Sequence, residues 1–187
     1  MINLSTLSGI LFVVAFIPYI VAVLRGQTKP AKASWLIWAA LDTITLVGMA
    51  LKHTVNGQII GAIIGAWIIA GLSLKYGKPG WTVFDKICLI GGALAIVLML
   101  ATGNPTFGIV TSGSAAFIGA FPTFASGWKN PGQEDKVAWT IFWASCVCMM
   151  LAVTTWDMAH AAQPTVFFSI ETIMMFILFV RPRFKKA

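Results

Sequence analysis

The chain has 187 residues, of which 58% are hydrophobic and only 10% charged, with a formal net charge of +7. A mean hydropathy of +0.86 excludes an ordinary soluble domain. The basic excess sits in short loops beside apolar runs, which points to membrane topology and away from nucleic acid.

Windows of about 20 residues, nearly free of charge, recur along the chain, each long enough for a helix to cross the hydrocarbon. Seven are predicted. Span 1, Leu4–Leu24, lacks a basic head and a small-x-small cleavage site, so it reads as a membrane helix and not a signal peptide. Span 2 is Ala33–Leu51. Span 3, Gly57–Leu74, carries Gly57, Gly61 and Gly65 on one face, where a neighbouring backbone can approach closely. Span 4 is Phe84–Thr102, span 5 Thr106–Trp128, span 6 Val137–Thr155 and span 7 Ala161–Val180.

Spans 5–7 read as a second copy of spans 1–3. A single gapless offset places Ser8 and Gly9 on Ser112 and Gly113, Pro18 on Pro122, Lys32 on Lys136 and Trp35 on Trp139. It also places the three glycines on Ala161, Thr165 and Ser169, again small. Residues 1–80 then form one three-helix repeat and 104–187 another. Span 4, within 81–103, is the linker that keeps the copies parallel. The expected fold is therefore an all-α membrane protein of seven transmembrane helices.

The charges agree with that count. Arg25, Lys29, Lys32, Lys75, Lys78, Lys86, Lys129, Lys136, Arg181, Arg183, Lys185 and Lys186 fall on one side, and only Lys52 on the other. This bias predicts a cell-membrane protein with its N-terminus outside and its C-terminus in the cytoplasm.

Pro18 and Pro122 sit within spans 1 and 5 at matching positions. Each removes a backbone donor, so the pair reads as hinges, against the alternative of tolerated membrane prolines. Trp35, Trp38 and Asp42 share one face of span 2. Trp35 and Trp139 read as interface anchors. The deeper Trp38, Trp67 and Trp143 are candidate walls of a polar cavity. Asp42 and Glu171 are the acidic residues deep in spans, where a charge costs about 2.5–3.5 kcal/mol and must face the interior or water. Under the offset Cys146 replaces Asp42, and Glu171 replaces Trp67. Asp42, Trp67, Cys146 and Glu171 are therefore expected around one central site, with Trp67 across from Glu171. The structural alternative for either acid is a carboxyl that only hydrogen-bonds a backbone carbonyl.

No metal site is expected. His53 and His160 lie apart at outer span ends, and Cys88, Cys146 and Cys148 show no paired spacing. No Ser/His/Asp set shares one depth, and span 7 lacks an interior lysine, so neither an enzyme nor a bound cofactor is expected.

Parallel three-span repeats joined by an inversion helix resemble the SWEET, SemiSWEET and PQ-loop transporter superfamily. The family's first-helix proline is matched by Pro18 in Ile-Pro-Tyr and by Pro122 in Phe-Pro-Thr. Pro122–Phe124 is similar to a SWEET first-helix motif. Tyr19 and Thr123 stand where PQ-loop proteins carry glutamine. Trp67 and Glu171 occupy the region where members place a tryptophan and an asparagine. The resemblance implies alternating-access transport of a small polar solute: a sugar, amino acid or amine. Glu171 turns the expectation toward a cationic solute or proton coupling. The implied partners are that solute, protons, the lipid bilayer and further copies of the chain as a homo-oligomer. The alternative is a seven-helix receptor or sorting protein of the same fold, which needs a basic cavity.

Overall fold

Short polar side chains set the helix boundaries in this apolar chain. An oxygen of an Asn, Asp or Thr side chain accepts a backbone N–H that the first helical turn leaves free. Asn3 starts α1 (Leu4–Leu24), Asn56 starts α3 (Gly57–Tyr76) and Asn104 starts α5 (Pro105–Gly119). A reciprocal Thr82–Asp85 capping box starts α4 (Val83–Thr102). Asp135 starts α7 (Lys136–Ala152) and Asp157 starts α8 (Met158–Met175). The remaining helices are α2 (Lys32–Leu51) and α6 (Phe121–Lys129), with a 3₁₀ turn at Pro131–Gln133 and a π turn at Phe176–Val180. This computed structural model describes residues 3–30, 32–77 and 80–181, with the side chains of residues 122, 126 and 133 outside that description.

Among the described residues all regular structure is helical. Six apolar segments are long enough to cross a membrane, counting α5 with α6 and α8 with its π turn. The protein is a membrane-embedded helical bundle. Of the seven expected spans, that of α7 is the short one, at 17 residues. Expected over Val137–Thr155, it stops at Ala152 because the Val153 backbone is extended. Asp157 then opens α8 earlier than the predicted Ala161, accepting from the N–H groups of Ala159 and His160 at 2.9 Å each. His160 Nδ1 lies 2.8 Å from the same oxygen. These bonds from His160, side chain first, hold the Asp157 carboxyl below its ordinary range.

The two marked prolines behave differently. α1 runs unbroken through Pro18. The predicted span 5 divides at Ala120, one residue before α6 begins. The Ala120 N–H turns back to Phe117 O at 3.1 Å, and Phe124 N–H resumes the ladder on Ala120 O at 2.9 Å. Pro122 has no N–H to give to Ile118, so the ladder has a gap there.

Packing orders the bundle. α3 lies between α1 and α2, and α8 between α5 and α7. α1 runs along α7, and α2 along α5, while α4 packs outside on α5 and α2. A pair of buried hydroxyls joins each of the two long contacts. Ser8 and Ser145 link α1 to α7 at 2.9 Å, and Thr45 and Ser112 link α2 to α5 at 2.7 Å.

The glycine face of α3 meets α1 backbone to backbone. A methyl on Gly57 would overlap Ser5 O, and one on Gly61 would lie 2.6 Å from Gly9 O. Gly65 leaves room for the Phe16 ring. The offset counterparts on α8 do not form such a face. Thr165 is exposed there, and α8 buries Gln163, Pro164, Phe167, Glu171 and Met174 instead. Without glycine, α8 cannot bring its backbone as near its neighbour.

The up-and-down order gathers the ends of α1, α3, α6 and α8 and the starts of α2, α4 and α7 at one end of the bundle. Ser34 Oγ donates to Asp85 Oδ1 at 2.7 Å there, tying the starts of α2 and α4. Arg181 stacks on Trp128 at 5.0 Å. Arg25, Lys29, Lys32, Lys75, Lys86, Lys129, Lys136 and Arg181 lie toward this basic end, and Lys52 lies at the other. Lys78, Arg183, Lys185 and Lys186 are outside the described residues.

Candidate functional site

A cavity of about 470 Å³ enters the bundle from the basic end. Its mouth is the loop from Gly26 to Pro30, faced by Glu134. Its walls come from α1, α2, α3, α7 and α8, with Ala116 of α5 and Thr123 of α6. Because α2 enters the bundle from the mouth, its residues at i, i+1, i+4 and i+8 line one descending strip: Ser34, Trp35, Trp38 and Asp42.

The upper wall is aromatic. Tyr19 and Trp35 have ring centroids 5.4 Å apart, and Trp35 and Trp38 meet edge to face at 5.4 Å. Trp139 stands on the other side, its indole N–H donating to Glu134 Oε2 at 3.2 Å. The floor is aromatic too. Phe142 packs on Phe12 at 4.8 Å and on Phe16 at 4.9 Å, and Phe167 lies 5.6 Å from Phe12. Small side chains, Ala62 and Ala66, keep the α3 wall open.

Two carboxyls line the interior. Asp42 is 8% exposed and Glu171 is 7% exposed. Asp42 lies about 15 Å along α2 from its start, and Glu171 about 20 Å along α8 from its start, at 1.5 Å per residue. Asp42 is at the middle of α2, and Glu171 lies about three-fifths of the way along α8 taken with its π turn. Glu171 Oε2 is buried and has no hydrogen-bond partner among the described residues. Asp85, also buried, makes the contrast clear. Its oxygens accept from the Thr82 N–H, the Thr82 hydroxyl and the Ser34 hydroxyl at 2.7 Å each, which is how a carboxylate with a structural task is satisfied. Lys29, at the mouth, is the one cation among the described lining residues. The one ion pair among the described residues, His160 with Asp157, lies at the opposite end. Among the described residues neither deep carboxyl therefore has a countercharge, an expensive arrangement in a low-dielectric interior.

The other end of the bundle is closed by a chain of buried amides. Asn56 Nδ2 donates to Gln163 Oε1 at 2.9 Å, Gln163 Nε2 to Gln58 Oε1 at 3.0 Å, and Gln58 Nε2 to Cys146 Sγ at 3.1 Å. Beside it Ser145 Oγ donates to Ser8 O at 2.7 Å. This chain joins α3, α8 and α7 behind the phenylalanine floor. Sequence reasoning that follows charge misses it. The signal present was three amides in the loop and first two turns of otherwise apolar helices, where an unpaired amide is costly.

Of the residues marked from sequence, Trp38, Asp42 and Glu171 come together in the cavity. Trp67, expected across from Glu171, is instead 48% exposed on the outside, its indole donating to Thr43 Oγ1 at 3.1 Å. Trp143, half-buried, is also away from the cavity lining and donates to Thr172 Oγ1 at 3.1 Å. Cys146 is fully buried in the amide chain. Pro18 is half-buried in α1, and Pro122 lies in the first turn of α6 with its side chain outside the described residues. Tyr19, Phe142, Phe167 and Ala66 line the cavity without having been marked.

No protein-family model, no curated protein and no solved structure matches this chain.

Proposed function

We propose that the protein is a membrane transporter that carries a small polar solute by alternating access. Residues 1–80 and 104–187 are read as two parallel three-helix repeats, and α4 as the helix that joins them. The packing supports this reading: in each unit the third helix lies between the first and second, and the units cross as α1 on α7 and α2 on α5. The hydroxyl pairs support it as well. Ser8 and Ser112, equivalent under the sequence offset, each bond to the second helix of the other unit.

One observation carries the functional reading. A cavity of about 470 Å³, entered from the basic end, is lined by Glu171 and Asp42, and Glu171 Oε2 is buried with no hydrogen-bond partner among the described residues. A carboxyl there is costly unless a solute, a proton or water meets it. The amide chain on the far side is the matching closure that a carrier must release. With the basic end in the cytoplasm, the cavity faces the cytoplasm. A receptor for a peptide carboxylate would need cations where these acids stand. Proton coupling belongs to the reading, since either carboxyl can carry the proton that replaces a departing solute. Carriage, not catalysis, is the proposed role.

The test is uptake into vesicles containing the purified protein, with and without a pH gradient. Glu171→Gln keeps the side chain's shape and removes its charge. It is expected to remain folded and to lose gradient-driven uptake or, for a cationic solute, binding. Normal uptake by Glu171→Gln at every pH removes Glu171 from the site.

A further inference from the structure

The chemistry of the cavity selects among solutes. Among the described residues Glu171 and Asp42 meet no cation in the interior, and Lys29 is held at the mouth. A neutral sugar would leave both acids uncompensated. An amino acid would bring a carboxylate to a depth where nothing basic receives it, adding a third unpaired acid. The orphaned Glu171 Oε2 is an acceptor without a donor, and a quaternary ammonium has no N–H to offer it. Above the acids, the faces and edges of Tyr19, Trp35, Trp38 and Trp139 offer an apolar slot that also favours positive charge. The volume suits a small organic molecule.

We propose that the cavity binds a protonated organic amine that carries no carboxylate, its N–H group on the Glu171 carboxyl and its apolar body between the tryptophans. The inference rests on the reading of this cavity as a solute site, and it narrows the small polar solute to one class. It also assigns the tryptophans of α2 and α7 a binding role beyond anchoring at the interface.

One ring with four different heads tests it. Phenethylammonium is the probe. Phenylalanine adds a carboxylate, 2-phenylethanol removes the charge, and trimethyl(phenethyl)ammonium removes the N–H. Binding to the purified full chain is read by thermal shift and by calorimetry, with glucose as a further comparison. The expected result is that phenethylammonium binds about ten-fold or more tightly than each of the other four. Glu171→Gln is expected to lose that preference for phenethylammonium over 2-phenylethanol. Should Glu171→Gln fail to fold, the wild-type series alone decides, because the ring is constant across it.

Equal or tighter binding of phenylalanine, glucose or the trimethyl analogue overturns the proposal. So does a folded Glu171→Gln that keeps the preference, or a wild-type protein that binds none of the probes. Vesicle counterflow separates this inference from the transport reading. If the amine binds and is never exchanged across the membrane, the binding site stands and the carrier falls. If glucose or phenylalanine is exchanged and the amine is not, the carrier stands and the amine proposal falls.

Discussion

Gln163→Leu is the sharpest perturbation of the closed end. The substitution keeps most of the side-chain volume and removes two buried hydrogen bonds, from Asn56 at 2.9 Å and to Gln58 at 3.0 Å. It strands the Asn56 amide hydrogen and Gln58 Oε1, each at a cost of about 1–3 kcal/mol when buried. The closed arrangement thus loses about 2–6 kcal/mol. An arrangement in which this end opens to water loses little, because water replaces both partners. The start of α3 survives, since Asn56 Oδ1 still accepts from Ile59 N–H at 3.0 Å. Even 3 kcal/mol shifts a closed-to-open ratio by about a hundred-fold. The assay is reaction of Ala62→Cys, a cavity wall position, with an impermeant thiol reagent applied from the closed side, using protein with Ala62 unchanged as the blank. Labelling is expected to accelerate at least about ten-fold in Gln163→Leu. An unchanged labelling rate in a protein that melts at lower temperature would mean that the amides hold the fold together and do not set the closure.

The remaining predictions concern packing, hinges and acid. Gly61→Ala is expected to lower the melting temperature, as overpacking costs about 1–3 kcal/mol, because its methyl would press on Gly9 O at 2.6 Å. Gly71→Ala in the same helix meets nothing within 4 Å and is expected to be neutral or stabilising; equal melting shifts for the two would refute the close approach of α1 and α3. Pro122→Ala restores an N–H at the helix break and is expected to slow uptake more than Pro18→Ala, whose helix is already continuous; the reverse order would locate the hinge in α1. The Asp157 carboxyl titrates below its ordinary range, so its contribution to stability is present above the unfolded value and is lost as pH falls through the folded one. Asp157→Asn is expected to cap α8 and to flatten that part of the acid unfolding curve.

The positions and order of the apolar helices were largely legible because apolar length is local. Asn3, Asn56, Asn104 and Asp135 cap helices that begin within a residue of the predicted starts. Asp157 is of the same kind and gives the true start of α8, before the predicted one. The glycine spacing of α3 was legible too, since it expresses a local need for close approach. The break at Ala120 was only half visible. Two prolines at matching positions look alike in sequence, yet α1 tolerates Pro18 while the second ladder opens ahead of Pro122. The amide closure was not legible from charge patterns, because its members are neutral and pair only through contacts between distant helices.

Rotation about a helix axis is the quantity that an internal offset does not carry. Under the proposed duplication α3 and α8 are equivalent, and Trp67 and Glu171 share a position. The glycines of α3 let it sink against α1, which turns Ala62 and Ala66 to the cavity and Trp67 outward. On α8 the same register holds Ala161, Thr165 and Ser169, and the helix presents Phe167, Ile170 and Glu171 to the cavity instead. Residue by residue, the offset counterparts of Ala62 and Ala66 are Val166 and Ile170, so the two helices share only part of a face. Twofold order in the scaffold is thus compatible with a one-sided site. The second unit supplies Glu171 and the first supplies Asp42, each with no equivalent acid across the bundle. A cavity built this way presents its negative charge on α2 and α8 and its flattest apolar surface on α1, α2 and α7. A solute that satisfies both must itself have a charged head and an apolar body, and that polarity is fixed by how α8 is turned and not by the repeat.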